Sequence, residues 1–192
     1  MLLTCASTAT LAAQPTVTEA RVAHGAGLAA KKGPAVDASS DLPLLATLDQ
    51  VHTGQRIVLD AESPTPAQFS ALLSDRSTGE KHPLDERLLG LLRRLAELHP
   101  GGRIELVSGY RSWKLNEMLR KKGHHVSSHS QHSLGNACDF RIVPADAELP
   151  LDPRVVEVEV RKLGWMGGVG VYPGKDDWFV HADVGRNRRW EN

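Results

Sequence analysis

The sequence has little cysteine. Its 192 residues contain two, Cys5 and Cys138, too few for a disulfide framework or a cysteine-based zinc site. Any metal site in this chain has to be built from histidine and carboxylates. Net charge is lacking too. The 23 basic and 23 acidic side chains cancel, which removes the electrostatic footprint of a general nucleic-acid binder. No apolar run approaches the ~18 residues of a membrane-spanning helix, so no transmembrane segment is expected in the mature chain. The composition, 41% apolar and 24% charged, is that of a globular domain, and the length suits one domain plus a tail.

The tail is expected at residues 1–41. Residues 1–15 are short, apolar and rich in small side chains, and Leu11-Ala12-Ala13 before Gln14 resembles a signal-peptidase site. The basic n-region of an export signal is missing. The segment therefore reads either as the remnant of a secretory signal or as a disordered start. Residues 14–40 are rich in Ala, Gly, Thr and Ser without periodicity and read as a linker. The ordered domain is expected over residues 42–192.

Within it, residues 55–60 read as a strand, 64–73 as a short helix and 84–98 as the clearest helix. Leu84, Leu88, Leu91, Leu92, Leu95 and Leu98 recur at three- and four-residue spacing on one face. Pro100-Gly101-Gly102 stops that helix. Strands are expected at 103–108, 137–143, 167–172 and 178–184, and helices at 113–122 and 153–163. The stretch 123–136 reads as a polar loop. Helices and strands mix without regular alternation, which predicts an α+β fold rather than a doubly wound sheet.

Four of the nine histidines fall in that polar loop: His124, His125, His129 and His132. Asp139 follows on the next strand, sharing a face with Ala137 and Arg141, while Cys138, Phe140 and Ile142 share the other. Further on, Phe179, His181 and Asp183 share a face of the last expected strand. A histidine and a carboxylate inside an apolar strand need partners, because unpaired buried polar groups are costly. His132, Asp139 and His181 would supply the three N and O ligands of a catalytic zinc site with one position left open for water. Cys138 alternates away from Asp139 and reads as a buried apolar residue.

The arrangement Ser130-x-His132-x-x-Gly135-x-Ala137-x-Asp139, with the element Ser108-Gly109-Tyr110-Arg111-Ser112 before it and His181 near aromatic residues after it, resembles the zinc D-alanyl-D-alanine peptidases. That family shares its fold with lysostaphin-type enzymes and the hedgehog signalling domain. His52-Thr53-Gly54 and Phe69-Ser70-Ala71-Leu72-Leu73, with Asp75 and Arg76, resemble its murein endopeptidase branch. The resemblance spans residues 42–192. It implies a central, mainly antiparallel sheet flanked by helices. It also implies one zinc ion per chain on His132, Asp139 and His181, and Arg111 as the cation that holds a substrate carbonyl or the developing oxyanion.

One position departs from the family. Better-known members carry Glu or Asp three residues before the last ligand as general base, and here that residue is Trp178. Asp183 is the first candidate to replace it, being two residues from His181 and on its face. Orienting a ligand is its alternative role. Asp177, Asp176 and His129 are the other candidates. Trp165, Trp178 and Trp190 read as core before groove residues, and Arg186, Arg188 and Arg189 as a solvated basic cluster. The expected function is a periplasmic or secreted zinc peptidase acting on the peptide stems of peptidoglycan, cutting cross-links. The alternatives are a D,D-carboxypeptidase or dipeptidase, and an inactive domain of the same fold that binds cell wall or a partner.

Overall fold

The computed structural model describes residues 43–123, 127 and 129–192. The export-signal and linker readings of the first 41 residues lie outside these, as do Cys5, His124 and His125. The described chain builds seven strands: β1 (Ala46–Gln50), β2 (Arg56–Leu59), β3 (Gly102–Ser108), β4 (Ala137–Val143), β5 (Gly168–Pro173), β6 (Trp178–Asp183) and β7 (Arg188–Glu191). Four helices accompany them: α1 (Pro66–Leu72), α2 (Glu86–Leu98), α3 (Trp113–Lys121) and α4 (Pro153–Lys162). The strands form one sheet in the order β2-β1-β3-β4-β6-β5-β7. The pairs β1/β2, β3/β4, β4/β6 and β5/β6 are antiparallel, and β1/β3 and β5/β7 are parallel. The fold is α+β, with a mixed and mostly antiparallel sheet.

Helix α2 forms where its leucines repeat. Leu88, Leu91, Leu92 and Leu95 are buried against the sheet, beside Ile104 and Leu106 of β3. Asp85 caps the helix by accepting from the Arg87 amide at 3.0 Å. Leu98, expected on the buried face, is half exposed. It ends the helix one step before the Pro100-Gly101 turn, where the face has run past the sheet. Helix α4 starts with Pro153 behind the cap Asp152, and buries Val156 and Val160 against β5 and β6.

Three elements differ from expectation. Strand β1 joins the sheet between β2 and β3, and β7 pairs with β5 at the far edge. Part of the polar loop tightens into a 3-10 turn over Gln131–Leu134, closed by Gly135 in the left-handed region at φ 71°. A Cβ at Gly135 would lie 2.2 Å from the carbonyl oxygen of Pro83, so this close approach admits only glycine. The Gly135 carbonyl in turn accepts from the Asp85 amide at 2.9 Å. The start of α2 and the loop carrying His132 are thereby fixed to one another.

Candidate metal centre

Strand register brings distant residues into one row. Ser108 of β3 faces Asp139 of β4, Asp139 faces His181 of β6, His181 faces Gly170 of β5, and Gly170 faces Trp190 of β7. Asp139 and His181 are thus direct cross-strand neighbours. Gly170 leaves room for the Trp190 indole, since a Cβ there would lie 2.5 Å from the ring. His132 joins the row from the 3-10 turn. It is held by its Nδ1 donating to the Gly109 carbonyl at 2.6 Å and by its own carbonyl accepting from the Arg111 amide at 3.3 Å.

All three side chains are buried. His132 Nε2 lies 3.1 Å from Asp139 Oδ1 and 3.2 Å from His181 Nδ1, and His181 Nδ1 lies 2.8 Å from Asp139 Oδ1. The other ring nitrogens are committed. His132 Nδ1 carries the proton it gives to Gly109, and His181 Nε2 donates to Asp183 Oδ2 at 3.1 Å. Those bonds select tautomers that turn two imidazole lone pairs and a carboxylate oxygen toward one point. Lone pairs at such separations repel unless a proton or a cation lies among them. The donor set suits a metal ion, and sequence reasoning named the same three residues.

The electrostatics agree with that reading. Burial pushes the His132 pKa down to about 4, with the Arg111 charge adding to the effect. Burial would lower His181 as well, but hydrogen bonds to Asp139 and Asp183 outweigh it and raise that group above its ordinary value. Burial alone would raise Asp139, and the charges of His132 and Arg111 hold it well below the usual carboxylate range. Cys138 is buried with its thiol pushed up by burial, so it stays protonated and inert.

Arg111 lies beside the triad. Its Nη2 donates to Asp139 Oδ2 at 2.5 Å and its Nε to Ser108 Oγ at 2.8 Å. Its Nη1 has no hydrogen-bond partner among the described residues. Asp183 falls elsewhere than a general base requires. Its carboxylate is fully buried behind the His181 ring, on the Nε2 side, where it accepts from His181, from Arg188 Nη2 at 3.0 Å and from the Gly185 amide at 2.8 Å. It does not line the cavity in front of the triad. The geometry fits the alternative role, orientation of a ligand. Asp183 Oδ1 also lies 3.3 Å from the Gly168 amide, and a Cβ at Gly168 would meet the carboxylate at 2.4 Å.

That cavity, of about 650 Å³, is lined by the triad, Arg76, Arg111, His129, Tyr172, Asp177, Phe179, Arg188, Arg189 and Trp190 among others. It corrects one sequence reading and adds to another. Trp190 belongs to the groove wall, with its Nε1 donating to the Tyr172 hydroxyl at 3.1 Å and its ring 5.3 Å from that of His181. Arg188 is exposed, as the solvated reading expects, but it also pairs with Asp183, with its guanidinium 4.9 Å from the Trp190 ring. Trp165 and Trp178 are half-buried away from the cavity, donating to the carbonyls of Asp183 and Leu151. Asp176 does not line it.

Two histidines and an aspartate meeting at the floor of an open groove are the arrangement that a single-metal hydrolase uses. The family described as peptidoglycan L,D-endopeptidase MepK matches residues 46–190, and the chain belongs to this family. A probable peptidoglycan L,D-endopeptidase MepK of Haemophilus influenzae is 32% identical over 162 residues, covering 80% of this chain and 82% of that protein. The peptidoglycan L,D-endopeptidase MepK of Escherichia coli K12 is 31% identical over 159 residues, covering 79% and 82%. No solved structure gives a significant match. No helix among the described residues is long and apolar enough to cross a membrane.

Proposed function

We propose that this chain is a peptidoglycan endopeptidase that hydrolyses cross-link peptide bonds outside the cytoplasm, with one zinc ion held by His132 Nε2, Asp139 Oδ1 and His181 Nδ1. The observation that carries the metal assignment is the convergence of those three atoms at 2.8–3.2 Å with both imidazoles fixed in the required tautomer. The cell-wall substrate rests on the family and on the names of its relatives. When bound, zinc supplies a Lewis acid for the amide carbonyl and lowers the pKa of water.

The chain's own residues do the rest. Arg111 keeps Asp139 in place through Nη2 and offers Nη1 to the substrate carbonyl oxygen as it gains charge. Asp183 keeps the proton of His181 on Nε2. Proton transfer to the leaving amine falls to His129 or Asp177, the imidazole and carboxylate that line the cavity besides the three ligands. The Tyr172–Phe179 stack, with ring centroids 4.5 Å apart, and Trp190 form an apolar wall along which a peptide can lie. Mass spectrometry of digested peptidoglycan tests the assignment. Uncross-linked stems of unchanged length are expected. Stems shortened at the terminus would instead assign the carboxypeptidase alternative, and intact material with zinc bound would assign the inactive one.

A further inference from the structure

Four arginines line the cavity, and three of them have carboxylate partners inside the fold. Arg111 pairs with Asp139, Arg188 with Asp183 at 3.0 Å and Arg189 with Glu157 at 3.1 Å. Arg76 is different. It is exposed, it lines the same cavity, and no carboxylate among the described residues lies within ion-pair distance of it. Its one described polar neighbour is His52 Nε2, 3.3 Å from Nη1. That nitrogen also lies 3.0 Å from the Val107 carbonyl. With the Nε2 proton given to that carbonyl, His52 has no lone pair there for Arg76, so the guanidinium fork keeps its donors for something else.

The backbone that carries Arg76 is tied at several points. Asp75 is buried, and its Oδ1 accepts from the amides of Ser77 and Thr78 at 2.7 and 2.9 Å. Its Oδ2 accepts from the Ser112 amide at 2.6 Å, next to Arg111. The Asp75 carbonyl and amide close the turn on Gly79 and Glu80 at 2.7 and 2.9 Å. One carboxylate therefore ties the backbone of the Arg76 loop to that of the Arg111 loop, so both arginines are carried by one connected unit beside the groove. A planar guanidinium without an internal carboxylate partner, carried on a tied backbone at a peptide groove, suits bidentate capture of a carboxylate.

We infer that Arg76 is a specificity-determining residue that binds a free carboxylate of the stem peptide. The inference rests on the peptidoglycan reading above. The test is equilibrium binding of a synthetic uncross-linked stem peptide to the zinc-loaded full chain. Such a peptide offers an endopeptidase no cross-link to cut, and recovery of the intact peptide by mass spectrometry shows that binding and not turnover is read. The peptide is used with all carboxylates free, with only the terminal one amidated, and with only the side-chain one amidated. Wild type should bind the free peptide roughly 10- to 100-fold more tightly than one of the two amides, the worth of a charge-assisted pair. Which amide loses affinity names the carboxylate. Arg76→Met should bind all three peptides equally weakly with zinc retained, and Arg76→Lys should recover part of the preference. Equal binding of the three peptides by wild type, no binding of any, or an unchanged preference in Arg76→Met would overturn the inference. Failure of the endopeptidase reading shows separately, as intact cross-linked peptidoglycan in the presence of a zinc-loaded protein that still discriminates among the peptides.

Discussion

Replacing Asp183 with Asn separates a ligand-orienting carboxylate from a general base. In the native site Oδ1 takes backbone amides from Gly168 and Gly185, at 3.3 and 2.8 Å, and Oδ2 takes His181 Nε2 and Arg188 Nη2, at 3.1 and 3.0 Å. An asparagine keeps its one carbonyl oxygen for the two amides. Its NH₂ then occupies the Oδ2 position and meets two donors. The least costly relief is for His181 to move its proton from Nε2 to Nδ1, the atom that faces Asp139 and His132. That proton has to leave before a metal can bind. Loss of an outer partner of a metal-bound histidine typically costs 10- to 100-fold in affinity, about 1.4–2.7 kcal/mol. Zinc competition against a chelator should show a loss of that size in Asp183→Asn, while kcat at saturating zinc falls less than about 10-fold. A general base would behave in the opposite way, with unchanged zinc affinity and kcat reduced by roughly 10²–10⁴-fold. That second pattern would refute the orienting role.

Other outcomes follow from the same geometry. Gly168→Ala would drive a methyl group into the Asp183 carboxylate, so it should lower zinc affinity about as much as Asp183→Asn, roughly 10-fold or more, read by the same competition. Arg111→Lys should keep zinc but lower kcat by roughly 10²–10³-fold in a muropeptide assay; a near-normal rate would leave Arg111 only its pairing with Asp139. The metal-free protein should have a stability maximum near pH 6.5 in thermal melts. His132 titrates at about 4 in the fold, below its ordinary 6.5, so stability rises with pH between those values. His181 is raised above its ordinary 6.5, so its contribution, full below that pH, is lost as pH climbs through the folded value. Zinc binding should gain affinity over that upper range as His181 gives up its proton. A melting temperature that climbs steadily from pH 4 to 9 without metal would contradict these two shifts.

Much of this was legible in the sequence for identifiable reasons. Strand β4 was read with its observed bounds because Gly135-Asn136 precedes it and Pro144 follows it. Helices α2 and α4 announced themselves through leucine and valine periodicity and capping aspartates. The triad was legible because His132 and Asp139 stand in one short motif and His181, a polar residue in an apolar strand, needs partners. Strands β1 and β7 were missed. Arg188–Glu191 is charged and mostly exposed, as an edge strand often is, and looks like solvated surface until its pairing with β5 is known. The row from Ser108 to Trp190 could not be read, since non-local strand pairing creates it. The Asp183 role was open for a related reason. Sharing a strand face with His181 permits a place on either side of the imidazole ring, and only the side-chain geometry chooses the Nε2 side.

His132, Asp139 and His181 are proposed to hold the ion on which the endopeptidase activity depends. Titrating zinc into chelator-stripped protein, while following the release of uncross-linked stems from purified peptidoglycan, tests it most directly. Activity should be absent without metal, rise linearly and break at one zinc per chain. His181→Ala, folded by circular dichroism, should stay inactive at the same zinc concentrations. Cleavage that survives stripping, or full activity and full zinc binding in His181→Ala, would contradict the account.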